Sequence, residues 1–192
     1  HLDIMDGRFV KPVTFEIETI RRYTAMCSLP FDAHLMIVQP ERHVDSYIDA
    51  GCSLVNFHIE ASPNPTALID YLHGRGVQAG VTINPNTPVD GMLEVADKVE
   101  LVLFMSVYPG YGGQKFIPEV LDKVRVFKRH CDSHGLNPLI QIDGGINTET
   151  APLAAAAGVD TMVAGMFIFG SDDYNGRIDA LRDSCAGAPR GW

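Results

Sequence analysis

The chain has 192 residues, 46% of them hydrophobic and 20% charged, which describes an ordinary globular protein with room for one sizeable core and too little chain for two. A formal net charge of −9, with no basic stripe interleaved with aromatics, excludes nucleic acid as a partner. No apolar run approaches the roughly 18 residues of a membrane span, and no basic leader followed by an apolar segment opens the chain, so neither a membrane nor a secretory route is expected.

In chain order, short apolar runs at 1–5, 31–38, 54–58, 78–83, 101–107, 139–143 and 161–164 read as strands. Most are almost continuously apolar, as expected where both faces of a parallel sheet are covered. Helical stretches lie between them. Asn64-Pro65 and Thr87-Pro88 each set a capping side chain before a proline at the first helical position, with Asp90 a capping-box partner for Thr87. Gly51, Gly74, Gly76 and Gly158 suit left-handed helix stops. Val44/Tyr47/Ile48, Leu68/Ile69/Leu72 and Val120/Leu121/Val124 give the helices apolar faces.

The repeating strand–loop–helix unit predicts an α/β fold of the TIM-type (β/α)₈ barrel, with seven strands where eight close the barrel. An open doubly wound sheet is the rival, but no G-x-G-x-x-G turn follows the first strand. Residues 1–185 are expected to form a single catalytic domain, and 186–192, rich in Gly, Pro and Ala, a flexible tail. The four cysteines, Cys27, Cys52, Cys131 and Cys185, are scattered without C-x-x-C spacing, so they read as reduced thiols in a cytoplasmic protein.

Chemistry-bearing residues gather at strand ends. His1, Asp3 and Met5 share one face of the first strand, where a His and an Asp two apart can converge on a metal ion. His34 and Met36 share a face of the second strand, although a single His in an apolar strand is more often a satisfied core residue. Asp143-Gly144-Gly145 ends another strand; the glycines let backbone approach a ligand, and Asn147 suits a helix cap, while Asp-Gly is also a common turn. The glycine-rich loop after Met105 (Gly110, Tyr111, Gly112, Gly113) suits closure over a substrate. Gly165-Met166 falls at the last strand end, where barrels often hold phosphate. His58 and Glu60 flank a strand end within reach of this rim, with no catalytic role assigned. His43, His73, His130 and His134 read as solvated, and Lys115 as either a steering or a plain surface charge.

The segments HLDIMDGRFV, HLMIVQP, GVTINPNTP, MSVYPGYGGQKFIP, IDGGIN and VAGMFIFG, in this order, resemble the motif series of ribulose-phosphate 3-epimerases. The resemblance implies one divalent metal held by His1, Asp3, His34 and Asp143, with Zn²⁺ the first expectation and Fe²⁺, Mn²⁺ or Co²⁺ as alternatives. It implies that Asp3 and Asp143 are the acid/base pair, that Met5, Met36 and Met105 line the reacting carbons, and that a sugar phosphate is the substrate. Contacts to it are implied for His34, Gly110–Gly113, Asp143, Gly144, Gly145, Gly165 and Met166. A homo-oligomer is left open. A hexulose-phosphate epimerase, a decarboxylase of the same superfamily and a non-catalytic remnant are the alternatives. Three departures stand out. No counterpart of the family's first strand, with its substrate-contacting Ser, precedes His1, so the sequence is expected to be a piece of a longer protein. Met166 stands where Ser is usual, and Lys11-Pro12 where Pro-Asn is usual.

Overall fold

The computed structural model describes residues 1–186, so all but the first residue of the expected tail at 186–192 lies outside the described residues. Seven strands form one parallel sheet in sequential order: β1 Leu2–Met5, β2 Asp32–Met36, β3 Leu54–His58, β4 Gln78–Ile83, β5 Leu101–Met105, β6 Leu139–Asp143 and β7 Thr161–Val163. Between them run α1 Ile17–Met26, α2 Val44–Asp49, α3 Pro65–Gly74, α4 Asp90–Leu93, α5 Val120–His134 and α6 Ala151–Ala157, with α7 Gly165–Phe169 and α8 Tyr174–Cys185 after β7. This is the architecture of a (β/α)₈ barrel with seven strands present; among the described residues β1 and β7 pair only with β2 and β6.

The period-two alternation of strands sorts the side chains into two populations. Ile4, Leu35, Val55, Phe57, Val81, Phe104 and Ile142 face the helices and join the larger core, with Leu72 of α3 and Val124 and Phe127 of α5. The alternate residues face inward. There Leu54, Leu101, Leu103, Met105 and Val107 form a second, smaller apolar cluster. Asn56 and Thr82, also inward, pair with each other at 2.6 Å. Apolar character on both faces is what makes the strands legible as continuous runs.

Helix ends follow the expected chemistry in part. Asn64 accepts from Ala67 N with Pro65 in the first turn of α3, and Gly158 closes α6 in a left-handed conformation. Gly135 does the same for α5, a stop not anticipated from sequence. Thr87 caps nothing: α4 starts after Val89, and the Thr87 hydroxyl is taken by Glu60. Asn147 caps the turn that leads into α6, its backbone carbonyl accepting from Ala151 N at 2.9 Å. Its Oδ1 accepts from Glu149 N and Thr150 N in that turn, and Thr150 occupies the cap position of α6 itself.

Burial thins toward the sheet's open side, where neither α7 nor α8 carries a buried residue and β7 is only half-buried. Among the described residues no helix is long and apolar enough to cross a membrane. The four cysteines are unpaired thiols, Cys52 and Cys131 within the core. Phe127 is fully buried, edge-on to Phe104 at 5.9 Å. Phe127→Ala is predicted to cost about 3–5 kcal/mol in urea unfolding. A loss below about 1 kcal/mol would show that α5 does not press on β5 as described.

Candidate metal and proton-transfer site

Strand register builds the site. Asp3 lies beside His34 and Met5 beside Met36 across β1 and β2, while Met105 lies beside Asp143 across β5 and β6. One ligand atom from each of His1, Asp3, His34 and Asp143 falls within 4.8 Å of all the others. Two ligands about 2.0–2.2 Å from a common ion can stand at most about 4.4 Å apart. The group is therefore a few tenths of an ångström from closing on a cation, and two imidazoles with two carboxylates suit a borderline divalent metal. The donor set fits.

Asp3 is the hub. Its Oδ1 lies 3.0 Å from His34 Nδ1 and 3.3 Å from His1 Nε2. His1 turns its other nitrogen to Asp32, with Nδ1 2.7 Å from Oδ2. His34 has no exposed surface and sets its Nε2 3.0 Å from His58 Nε2. Asp32 and His58 are thus outer partners of the two histidines. Nothing in the linear sequence announced the Asp32 contact, whereas His58 was already visible as a His at a strand end near the rim.

These contacts divide the charges. For His1, burial opposes the charged form, but hydrogen bonds with Asp3 and Asp32 outweigh it and push the imidazole up to about 10. For Asp3, burial likewise opposes ionisation, and hydrogen bonds from His1 and His34 hold the carboxyl well below the usual range. His34 goes the other way: burial, against the Asp3 hydrogen bond and aided by His58, pushes it down to about 4. Burial, then the charge of Asp3, pushes Asp143 up to about 7. The two carboxylates of one site therefore differ in proton affinity.

Asp3, Asp143, Met5, Met36 and Met105 line one cavity, together with Gly110, Tyr111, Gly112, Gly113, Gly144, Gly145, Gly165 and Met166. His1 and His34 are not in its wall. Two glycines are required where β6 ends. A Cβ on Gly144, at φ +121°, would stand 2.5 Å from Val107 Cγ2, and one on Gly145, at φ +64°, 2.6 Å from the Phe116 amide nitrogen. Buried Ser106 fastens the same corner, its hydroxyl donating to the carbonyls of Asp143 at 2.9 Å and Gly144 at 2.7 Å. Its role is invisible in sequence, where it is one hydroxyl between apolar residues. Asp6 organises the β1 exit by accepting from the amides of Arg8, Phe9 and Val38.

The glycine loop touches two of the departures. A Cβ on Gly110 would meet Val10 and Pro12, and one on Gly112 would meet Met166 at 3.2 Å. Met166 is largely exposed although it lines the cavity, whereas Lys115 is exposed and is not among the lining residues.

Residues 1–169 match the model of the ribulose-phosphate 3 epimerase family. A ribulose-phosphate 3-epimerase of Mycobacterium bovis is 42% identical over 188 residues, 98% of this chain and 82% of that protein. One from Bacillus subtilis is 42% identical over 185 residues, 96% of this chain and 85% of its own length. Among solved structures, the 3-keto-L-gulonate-6-phosphate decarboxylase of Vibrio cholerae superposes with a TM-score of 0.69 at 14% identity, covering 88% of this chain and 78% of that one. This last likeness concerns the fold alone.

The raised proton affinity of Asp143 has a stability consequence in metal-free protein. Its folded state binds the proton more tightly than the unfolded chain, so its contribution is fully present below about pH 4 and is lost as pH rises through about 7. Asp143→Asn is accordingly predicted to gain in Tm relative to the parent, and the gain is predicted to grow across that window. Melting curves in chelator at several pH values check this; a Tm difference that is flat with pH would remove the assigned shift.

Proposed function

The chain belongs to the ribulose-phosphate 3-epimerase family, and from that premise we propose that it interconverts D-ribulose 5-phosphate and D-xylulose 5-phosphate by proton transfer at C3. The observation that carries the mechanism is one cavity lined by two carboxylates from strands that are not neighbours, β1 and β6. The C3 proton is acidic enough to remove because it adjoins the C2 ketone. Inverting a stereocentre in both directions needs a base on one face and an acid on the other, each able to take the opposite role in reverse.

Asp3 and Asp143 fill those roles. One carboxylate takes the proton from C3, and the other returns a proton to the opposite face. In the metal-free protein the charge of Asp3 contributes to the shift at Asp143, so the two carboxyls titrate as a coupled pair, and a cation bound between them would favour the ionised form of both. His1, Asp3, His34 and Asp143 would hold a divalent ion, whose chemistry there would be Lewis-acid polarisation of the ketone. Met5, Met36 and Met105 give the carbons an apolar, adaptable wall that keeps water from the carbanionic centre. The backbone N–H groups of Gly144, Gly145, Gly165 and Met166 receive the phosphate, and the loop from Gly110 to Gly113 closes over it. Residues 1–185 act as one catalytic domain in the cytoplasm.

The test uses the purified chain reconstituted with Zn²⁺, Fe²⁺, Mn²⁺ or Co²⁺ and assayed on D-ribulose 5-phosphate. Asp143→Asn is predicted to lower turnover by at least about 10²-fold with an unchanged circular dichroism spectrum. In D₂O the parent is expected to place deuterium at C3 of both substrate and product. Retention of more than a few per cent of activity in Asp143→Asn, or turnover without C3 exchange, contradicts the assignment. Faster turnover of D-allulose 6-phosphate would move the reading to a hexulose-phosphate enzyme, and a metal-free, inactive chain to a non-catalytic member of the family.

A further inference from the structure

His34 turns Nδ1 toward Asp3 and the cation site, and Nε2 toward a second histidine. That neighbour, His58, sits on the inner face of β3 with no exposed surface. Its ring stacks on His34 at 5.1 Å and tilts against Phe9 at 4.7 Å. Beyond it Glu60 Oε2 stands 3.5 Å from His58 Nδ1, a buried nitrogen with no hydrogen-bond partner among the described residues. Glu60 is itself held in place, its Oε1 accepting from Asn84 N at 2.8 Å and from the Thr87 hydroxyl.

Two imidazole nitrogens 3.0 Å apart hydrogen-bond only when one carries a hydrogen and the other a lone pair. While no cation is bound, Asp3 draws a hydrogen to His34 Nδ1 at 3.0 Å; Glu60 acts on the other ring. At 3.5 Å the contact is longer than a good hydrogen bond, yet its charge still favours a hydrogen on His58 Nδ1 over a lone pair. Once a cation takes the place of the hydrogen that Asp3 attracts to His34 Nδ1, His34 carries its hydrogen on Nε2, and a His58 with its one hydrogen on Nδ1 presents the bare Nε2 that accepts it. The opposite order would point the lone pair of His58 Nδ1 at a carboxylate oxygen inside the protein, which is costly.

We propose that His58 and Glu60 are positioning residues that favour, for His34, the tautomer whose Nδ1 faces Asp3 free to take a divalent cation. The inference rests on the metal reading above. His1 is held by Asp32 directly, whereas His34 is held through an intervening ring, which spaces the carboxylate away from a fully buried ligand. Partners of this kind typically govern metal affinity by about 10- to 100-fold.

The experiment measures Zn²⁺ affinity of the chelator-stripped full chain by competition with a chromophoric chelator, and the d–d spectrum of the Co²⁺ form. His58→Phe keeps a ring against Phe9 but offers His34 no acceptor; affinity is expected to fall about 10- to 100-fold with an altered Co²⁺ spectrum. His58→Gln has a carbonyl oxygen that can accept from His34 Nε2, and is expected to recover most of that loss. Glu60→Gln is expected to weaken binding by a smaller factor. A role in packing alone predicts instead that the phenylalanine is tolerated and the glutamine is not. Parental affinity in both His58→Phe and Glu60→Gln overturns the proposal. Should His58→Phe not fold, unchanged affinity in Glu60→Gln overturns it alone. In the Zn²⁺-loaded parent, ¹⁵N–¹H long-range spectra are expected to show His34 protonated at Nε2, and a proton at Nδ1 also overturns it. A parent that takes up no metal defeats the metal reading and this inference with it; a parent that binds, with indifferent variants, defeats this inference only.

Discussion

The arrangement depends on Asp3 standing beside His34 across the first two strands, with both side chains turned away from the helices. A carboxylate and an imidazole nitrogen held 3.0 Å apart in a mostly buried pocket need a hydrogen or a cation between them. In the protein alone that need is met by a hydrogen on His34, with His1 on the other side of Asp3, its imidazole pushed up to about 10 by Asp3 and Asp32 despite its burial. The same need makes the pocket receptive to a metal. What the pairing costs in desolvation is offset by what it gathers: two imidazoles and two carboxyls that could hold one metal ion.

The sheet makes this possible because its two faces have separate tasks. The outward set of Ile4, Leu35, Phe57, Val81, Phe104 and Ile142 packs against the helices and needs nothing from the inward set. The inward set is free to carry polar groups provided each finds a partner, as Asn56 and Thr82 do lower down and His34 and His58 do near the rim. Glycines then let the strand exits approach one another closely, and Ser106 ties the β5 exit to the β6 exit without a charge.

The strands were legible in the sequence because parallel strands buried on both faces are written as apolar runs, and β3, β4 and β6 have the bounds read from that pattern. That His1, Asp3, His34 and Asp143 lie together, and that glycine loops line the same cavity, could be expected because their types and order resemble a family motif series. Other contacts between residues far apart in sequence were not legible. Asp32 gives no linear sign that it would meet His1, 31 residues away, and Ser106 reaches the carbonyls of residues 37 and 38 positions on. Thr87 was misread as a helix cap: it has capping chemistry, but a tertiary partner, Glu60, took the side chain first. Asn147 does cap, its Oδ1 accepting from the Glu149 and Thr150 amides at the turn that leads into α6.

The proposed ligands come from the β1 and β2 side of the sheet and from β6, which lies far from them in the order of the strands. An ion gripped jointly by them would act as a rivet across the barrel's mouth, since ligands bound only by the native form stabilise it by mass action. Metal supply would then set how firmly the rim is held together as well as whether the chemistry runs.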